Sequence, residues 1–284
     1  MTANPSTSRH AATAATEASV ADRRSVTIRH TRFAPCLRRH ADNVPNVRTR
    51  TAAASRWNDP RRWEKRLARL RRPAWLGTIR RTSPLSDHWG RERGTPVDRY
   101  YIEHFLAGER HSIRGRVLEV MNAGYTGRFG TGVDVSDVLD IDPANEAATI
   151  VADLAAADEI PSETFDCFIL TQTLQYVYDV RAAVEHAHRI LRPGGTLLAT
   201  VPAVSRVARQ HLDTEYWRFT APAGLRLFGD AFRGGTVDVR ARGNVLAAVA
   251  FLMGIAHEEL SARELAFNDP FFPVIVTVRA TKAR

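Results

Sequence analysis

The sequence predicts a doubly wound α/β fold, with a mostly parallel seven-stranded sheet, an antiparallel last strand and a disordered basic N-terminal extension. Three observations lead to this prediction. Short apolar runs alternate with segments of helical periodicity from about Trp75 onwards. The run "FDCFILT" (165–171) is apolar without alternation, which is typical of a strand buried on both faces of a parallel sheet. The motif "RPGG" (192–195) separates a helical segment from the next strand.

The individual elements follow from the spacing of apolar residues. Apolar residues recur at helical spacing over residues 180–191, and the strand "TLLATVP" (196–202) comes directly after the glycines. We expect residues 273–280, near the end of the chain, to enter the sheet antiparallel to their neighbour. The same patterns predict strands over 117–120, 138–141, 149–151, 235–243 and 272–280, and helices over 226–232 and 245–256.

The chain divides into three parts by composition. Residues 1–56 are rich in alanine, threonine, serine and arginine, and they contain few large apolar side chains. Such a segment cannot bury enough surface to offset the entropy lost on ordering, so we predict that it is disordered. Residues 57–74 form a basic helix or linker, and residues 75–284 form the folded domain.

The basic segment 57–74 has amphipathic spacing. Trp63, Leu67 and Leu70 would share one face of a helix, with arginines around the rest. A helix of this kind lies on an anionic membrane or a nucleic acid, or it docks its apolar face on the folded domain. The pattern favours docking or an unstructured basic tail and leaves the membrane alternative open.

The net charge of +9 is unevenly distributed. Residues 1–84 contain 19 Lys and Arg against 5 Asp and Glu, a net charge of +14, and the remaining 200 residues contain 21 against 26, a net charge of −5. The basic character therefore belongs to the N-terminal part. The folded domain is mildly acidic, which argues against a nucleic-acid partner.

The composition excludes several other classes of protein. No uncharged apolar run is long enough to cross a bilayer. Cys36 and Cys167 are the only cysteines and cannot form a disulfide framework or a cysteine metal cage, so we predict no metal site. A small buried thiol is the simplest interpretation of Cys167. This cysteine usage fits a cytoplasmic protein.

Polar side chains follow successive strands of the predicted sheet. In open α/β sheets, ligands bind beyond the carboxyl ends of the strands, at the point where the strand order reverses. A carboxylate after the second strand, Asp142, can accept hydrogen bonds from both hydroxyls of a ribose. Asp153, after the third strand, can accept the amino group of an adenine, and Leu154 beside it provides an apolar wall. The ordered series of polar strand ends predicts a nucleoside-containing ligand.

From about Trp75 to Lys282 the chain resembles the class I methyltransferases that depend on S-adenosylmethionine (SAM), which have a Rossmann-like fold. The most specific part is "FDCFILTQTLQYVYDVRAAVEHAHRILRPGGTLLATVP" (165–202). The motifs "SDHWGRERGTPVDRYY" (86–101) and "YWRFT" (216–220) are similar to those of a small bacterial subgroup, related to methyltransferase type 11, with a glycine-poor first turn. The chain departs from the family after strand four, where Tyr176 stands at the position of the histidine in "LxH".

The resemblance implies that SAM is the cofactor, bound in part by the turn after the first strand. Met121 occupies one of the positions where the family usually has glycine. Glu119 and Gly124 match the family's first cofactor motif, Ala123 allows close approach of the backbone, and Asn122 is expected to act as a donor.

Further cofactor residues are carried over from the later strand ends. Asp142 matches the ribose acid, although Asp140 is an alternative because the second strand is short. Asp153 matches the acid on the adenine side. Three more residues complete the predicted cofactor site: Leu154, Thr171 and Gln175, the last at its rim.

Candidate catalytic residues lie after strand five, on the acceptor side. His211 could take a proton from a hydroxyl acceptor, and Tyr216 is a second candidate. A lone histidine in a loop is more often structural. Arg99 is placed to meet the carboxylate of the cofactor's methionine end, with Tyr100 and Tyr101 either beside it or packed in the core.

The predicted function is a SAM-dependent methyltransferase that acts on a small-molecule or saccharide acceptor at oxygen. The alternative is a catalytically inert relative that binds the cofactor or serves as an interaction protein. A dinucleotide oxidoreductase is disfavoured because the first turn lacks G-x-G-x-x-G. Peripheral membrane contact by the basic N-terminal region stays open, and the sequence does not predict an oligomeric state.

Overall fold

The computed structural model describes Leu70 and residues 76–284. The segment predicted to be disordered, residues 1–56, lies outside the described residues. The same holds for the predicted basic segment, residues 57–74, apart from Leu70. The described part contains seven strands: β1 (Gly115–Val120), β2 (Val133–Asp140), β3 (Ile150–Val151), β4 (Phe165–Thr171), β5 (Leu191–Pro202), β6 (Thr236–Arg242) and β7 (Ile275–Thr281). The α-helices are α1 (Val97–Gly108), α2 (Gly124–Phe129), α3 (Val180–Ile190), α4 (Ala221–Ala231), α5 (Val245–Met253) and α6 (Ala262–Ala266).

The seven strands form one sheet in the order β3-β2-β1-β4-β5-β7-β6. Strands β1 to β5 pair in parallel, and β7 lies antiparallel between β5 and β6. The predicted fold class, including the antiparallel last strand, is confirmed. The strand order reverses between β1 and β4, so the ligand crevice of such a sheet is expected beyond the carboxyl ends of these two strands.

Some predicted boundaries were wrong, each for a physical reason. The second strand was predicted to start at residue 138 and end at Asp142, whereas β2 starts at Val133 and ends at Asp140. In the first half of β2, apolar and polar residues alternate and most of them are exposed. This part of the strand therefore lacks the run of apolar residues from which the strand was predicted. Helix α5 ends before Gly254, which adopts left-handed φ of 70°, although the apolar run continues to residue 256.

Helices cover both faces of the sheet and bury two groups of apolar residues. Alternate residues of β4 point to opposite faces: Phe168 packs on the side of α3 and α4, and Ile169 packs on the side of α1 and α5. Both side chains are fully buried. Residues 76–284 contain no helix with the length and apolar character needed to span a membrane.

A single buried carboxylate fixes the turn between β1 and α2. Glu119 is 2% exposed, and its side chain accepts hydrogen bonds from the backbone amides of Tyr125 (3.0 Å) and Thr126 (2.7 Å) and from the Thr126 hydroxyl (2.7 Å). Burial raises the pKa of Glu119, and the bonds from Thr126 oppose that rise. These bonds satisfy amides in the first turn of α2 that have no partner within the helix.

We expect Glu119→Ala to lower the free energy of unfolding by about 2–3 kcal/mol, because it leaves buried donors without a charged acceptor. Thr126→Val is the matched control: it removes only the hydroxyl donor and should cost about 1 kcal/mol. Urea denaturation followed by circular dichroism measures both losses. Equal losses in the two variants would contradict the role assigned to the carboxylate.

Candidate functional site

The turn after β1 retains a glycine-like backbone although its first glycine position holds methionine. Met121 has a left-handed φ of 72°, and its side chain is exposed. A non-glycine residue in this region is strained, and such strain concentrates at functional sites. Asn122 Oδ1 accepts the Gly124 amide at 2.9 Å, and Ala123 is the N-cap residue of α2. The backbone amide of Asn122 donates to the Val120 carbonyl at 2.9 Å, so Nδ2 is the group left for the predicted donor role.

The acidic residues after β2 are Asp140 and Asp142, and they differ in position. Asp140 is the last residue of β2, and its carboxylate accepts Asn145 Nδ2 at 2.6 Å and the Asp142 amide at 3.0 Å. Asn145 Nδ2 also donates to the Met121 carbonyl at 2.8 Å and so joins the ends of β1 and β2. Asp142 is exposed and accepts the Ala144 amide at 2.9 Å. The strand end itself therefore presents Asp140.

The end of β3 presents one carboxylate and one buried leucine. Asp153 is exposed, and its Oδ1 accepts the Ala155 amide at 2.9 Å, which caps a short 3-10 turn. A carboxylate has about four acceptor positions, so this single bond leaves capacity for a ligand. Leu154 is 5% exposed and packs in the core. The sequence predicted Leu154 as an apolar wall, and burial leaves mainly its backbone for that role.

The end of β4 is held in a tight turn. Thr171 is half-buried, and its carbonyl accepts the Thr173 hydroxyl at 3.0 Å. Gln172 has a left-handed φ of 49°, and its amide donates to the Thr200 carbonyl of β5 at 2.9 Å. Left-handed non-glycine residues therefore occur at the ends of both β1 and β4, the two strands that flank the reversal of strand order.

Gln175 lies inside the domain, not at the rim as the sequence predicted. Its side chain is 4% exposed, Nε2 donates to the Gln172 carbonyl at 2.9 Å, and Oε1 has no hydrogen-bond partner among the described residues. Its backbone carbonyl accepts the amides of Tyr216 (2.8 Å) and Trp217 (3.3 Å). The residue therefore connects the end of β4 to the "YWRFT" motif, which explains its burial.

An arginine from α1 reaches the first turn of α2. Arg99 is half-buried, and its Nη1 donates to the Tyr125 hydroxyl at 2.5 Å. Burial raises the pKa of Tyr125, and the guanidinium opposes that rise. Tyr101 packs in the core and donates to the Leu265 carbonyl at 3.0 Å, whereas Tyr100 stacks on His104. Of these three neighbours in sequence, Arg99 is thus the one joined to the first turn.

The acceptor side contains a tyrosine that the sequence analysis did not select. The ring of Tyr176 contacts that of His211, with centroids 4.5 Å apart and the planes tilted by 45°. Burial and the nearby Glu215 carboxylate raise the pKa of the Tyr176 hydroxyl, so it is a hydrogen-bond donor at neutral pH. His211 is half-buried, and its Nδ1 lies 3.3 Å from the Thr214 hydroxyl. One feature of the sequence could have pointed to Tyr176 as a site residue: it occupies the position of the histidine in the family's "LxH" motif.

The ring of the second catalytic candidate, Tyr216, packs against a different residue, Tyr178. The two rings meet edge-on, with centroids 5.3 Å apart, and both are exposed. Trp217 lies 6.2 Å from Tyr178 and donates its indole N–H to the Val177 carbonyl at 3.0 Å. These three rings form an exposed aromatic group beside the end of β4.

The arrangement matches the chemical groups of SAM. Carboxylates suit ribose hydroxyls and an adenine amine, and the strand ends present Asp140 and Asp153. Arg99 places a cation against the first turn of α2. A Cβ added at Gly124 would lie 2.8 Å from Asn122 Oδ1, so a larger residue there would displace the Asn122 side chain. The residues present thus fit the cofactor.

Comparisons with known proteins give one family match and a number of structural neighbours. Residues 114–199 match the family described as "Methyltransferase domain". No curated protein matches the sequence. A SAM-dependent methyltransferase from Mesorhizobium loti is 16% identical, with a TM-score of 0.45 over 67% of this chain and 99% of that one. One from Archaeoglobus fulgidus is 12% identical, with a TM-score of 0.43 over 65% of this chain and 94% of that one. The match to this methyltransferase-domain family therefore covers strands β1 to β4 and most of β5.

Proposed function

We propose that the protein transfers the methyl group of SAM to an oxygen atom of a small-molecule or saccharide acceptor. The observation that carries this proposal is the Tyr176–His211 pair, which lies beside the end of β4. Next to it, the buried Gln175 Oε1 has no hydrogen-bond partner among residues 76–284. Buried polar atoms without a partner are rare and call for an explanation, and an acceptor or cofactor group would supply one. A relative that served only as an interaction protein and bound no ligand would leave this atom unexplained.

For the cofactor we propose Asp140, rather than Asp142, as the residue that accepts the ribose hydroxyls. Two amino or amide donors orient the Asp140 carboxylate at the strand end, and Asp142 follows it in an exposed turn. Asp153 would accept the adenine amine. Asn122, Ala123 and Gly124 would approach the methionine end, with Arg99 at its carboxylate. Glu119 would act indirectly, by holding the turn.

Substitutions of the acids test whether Asp140 or Asp142 accepts the ribose hydroxyls. We expect Asp140→Asn and Asp153→Ala each to weaken SAM binding by about tenfold to a hundredfold, because a hydrogen bond to a charged group contributes about 1.5–3 kcal/mol. Asp142→Ala is the matched control and should bind SAM nearly as the wild-type protein does. Isothermal titration calorimetry with SAM and S-adenosylhomocysteine measures the affinities, and thermal melting checks the fold. The reverse order, with Asp142→Ala the weaker binder, would restore Asp142 to the ribose role.

The acceptor side favours a sugar-like or other polar, hydroxyl-bearing molecule. Tyr178, Tyr216 and Trp217 expose aromatic faces, which suit the apolar faces of sugar rings. Arg218 lies beside them in an ion pair with Glu215 at 2.7 Å and offers further donors. Aromatic faces combined with charged hydrogen-bonding groups support a saccharide acceptor better than a purely apolar one.

We propose His211 as the base. SAM supplies an electrophilic methyl group on a sulfonium, which leaves as a neutral thioether. As the acceptor oxygen forms its bond to carbon, its proton must pass to a base. In the tautomer in which Nδ1–H donates to the Thr214 hydroxyl, 3.3 Å away, Nε2 would be free to accept that proton. Tyr176, protonated at neutral pH, would orient the imidazole ring or the acceptor. The scarcity of cysteines supports a cytoplasmic location for this chemistry.

We expect His211→Ala to lower kcat by about a hundredfold or more, because general base catalysis contributes that much, and to leave the Kd for SAM unchanged. His111→Ala, an exposed histidine at the opposite edge of the sheet, is the control and should retain full activity. The assay follows transfer of an isotopically labelled methyl group from SAM to a panel of monosaccharides, oligosaccharides and phenols. Undiminished turnover in His211→Ala would remove this residue from the mechanism.

A further inference from the structure

Five large apolar side chains are exposed at one corner of the domain, and we refer to them as the aromatic corner. Phe271 is 86% exposed, Phe267 65% and Phe272 49%, and Val245 and Leu246 at the start of α5 are also exposed. Three of the five, Phe267, Val245 and Leu246, line a cavity of about 620 Å³. Single exposed apolar residues are ordinary on protein surfaces, but a contiguous group of this kind marks an interaction site.

The aromatic corner is built on a well-ordered hydrogen-bonded scaffold. Asn244 is 5% exposed, and its Nδ2 donates to the carbonyls of Glu264 (2.7 Å) and Phe267 (2.8 Å). The Asp269 amide donates to the Gly243 carbonyl at 2.8 Å, and Asp269 in turn accepts the amides of Phe271 and Phe272. The phenylalanines are therefore held outwards by the fold itself.

The topology places the aromatic corner at the same edge of the sheet as the proposed active site. Strands β5 and β6 both run antiparallel to β7, so β6 runs in the same direction as β1 to β5. The corner follows the carboxyl end of β6 and precedes the start of β7. The Ala203 amide, just beyond β5, donates to the Val274 carbonyl at 3.0 Å and joins the corner to the acceptor side.

We propose that the aromatic corner inserts into the surface of an anionic lipid membrane. Phenylalanine and aliphatic side chains projecting from a turn suit the boundary between headgroups and acyl chains. The N-terminal 84 residues carry a net charge of +14, which an anionic surface attracts. Apolar insertion and basic attraction are the two signals that together give stable peripheral binding.

A second copy of the chain fits the aromatic corner less well. A stable dimer interface buries about 1,200–2,000 Å² in total, whereas this corner consists of one turn and one end of a helix.

Membrane attachment at this edge has a consequence for the acceptor, and this step depends on the proposed function. A bilayer that contacts the aromatic corner lies on the side of the sheet where the strand ends meet the acceptor. The acceptor class that fits this placement is a hydroxyl-bearing headgroup, such as a saccharide joined to a lipid. The aromatic group of Tyr178, Tyr216 and Trp217 would then face the headgroup layer.

The test is co-sedimentation of the full-length protein with vesicles of phosphatidylcholine, with and without phosphatidylglycerol. We expect the wild-type protein to bind the vesicles that contain phosphatidylglycerol and to dissociate as salt is raised. The double variant Phe271→Ser, Phe272→Ser should bind at least about tenfold more weakly, because it loses the insertion of two phenylalanine side chains. Leu225→Ser, another exposed apolar residue on α4, is the matched control and should bind like the wild type.

Other outcomes overturn the inference. Undiminished binding by the double variant would assign membrane attachment to the basic segment alone. In another contrary outcome, the wild-type protein binds neither kind of vesicle and sediments as a dimer, while the double variant sediments as a monomer. The aromatic corner would then be a contact between two copies of the chain. Calorimetry with SAM on the same preparations separates this inference from the proposed function: SAM binding without vesicle binding refutes only the membrane proposal.

Discussion

The Glu119 carboxylate is the contact on which the rest of the site depends. It lies at the end of the central strand β1 and accepts three hydrogen bonds from the start of α2. Because these bonds hold the first turn of α2 against the sheet, the turn needs no glycine-rich sequence to stay tight. Met121 adopts the left-handed backbone that a glycine would have. The cost of this strain is about 1–2 kcal/mol, which a buried charged hydrogen-bond network can offset.

Further hydrogen bonds connect the turn after β1 with the ends of the neighbouring strands. Asn145 connects Met121 of the first turn with Asp140 of the second strand. Gln172 connects β4 to β5, and the Gln175 carbonyl receives the amides of the "YWRFT" motif. Each link joins neighbouring strand ends through a polar side chain or a backbone group. The crevice is therefore a preorganised surface, as binding and catalysis require.

The same edge combines two kinds of exposed aromatic side chain. One group borders the acceptor side and is accompanied by Arg218 and Glu215, and the other, at the aromatic corner, projects from a turn. Exposed aromatic residues lower solubility and lose the stabilisation of burial, so a fold that holds them outwards on a hydrogen-bonded scaffold must gain from their exposure elsewhere. A sugar joined to a lipid would use both groups at once.

The sequence by itself determined the α/β class and the order of its strands along the chain, because apolar periodicity and turn residues act locally. It also determined the charge difference between the two parts of the chain. Only the tertiary structure decided which acid ends β2, because the exposed half of that strand carries no apolar signal. Tertiary contacts likewise bury Gln175 and bring Tyr176 against His211, 35 positions apart in the chain. These pairings arise where strands distant in sequence become neighbours, and no local pattern encodes them.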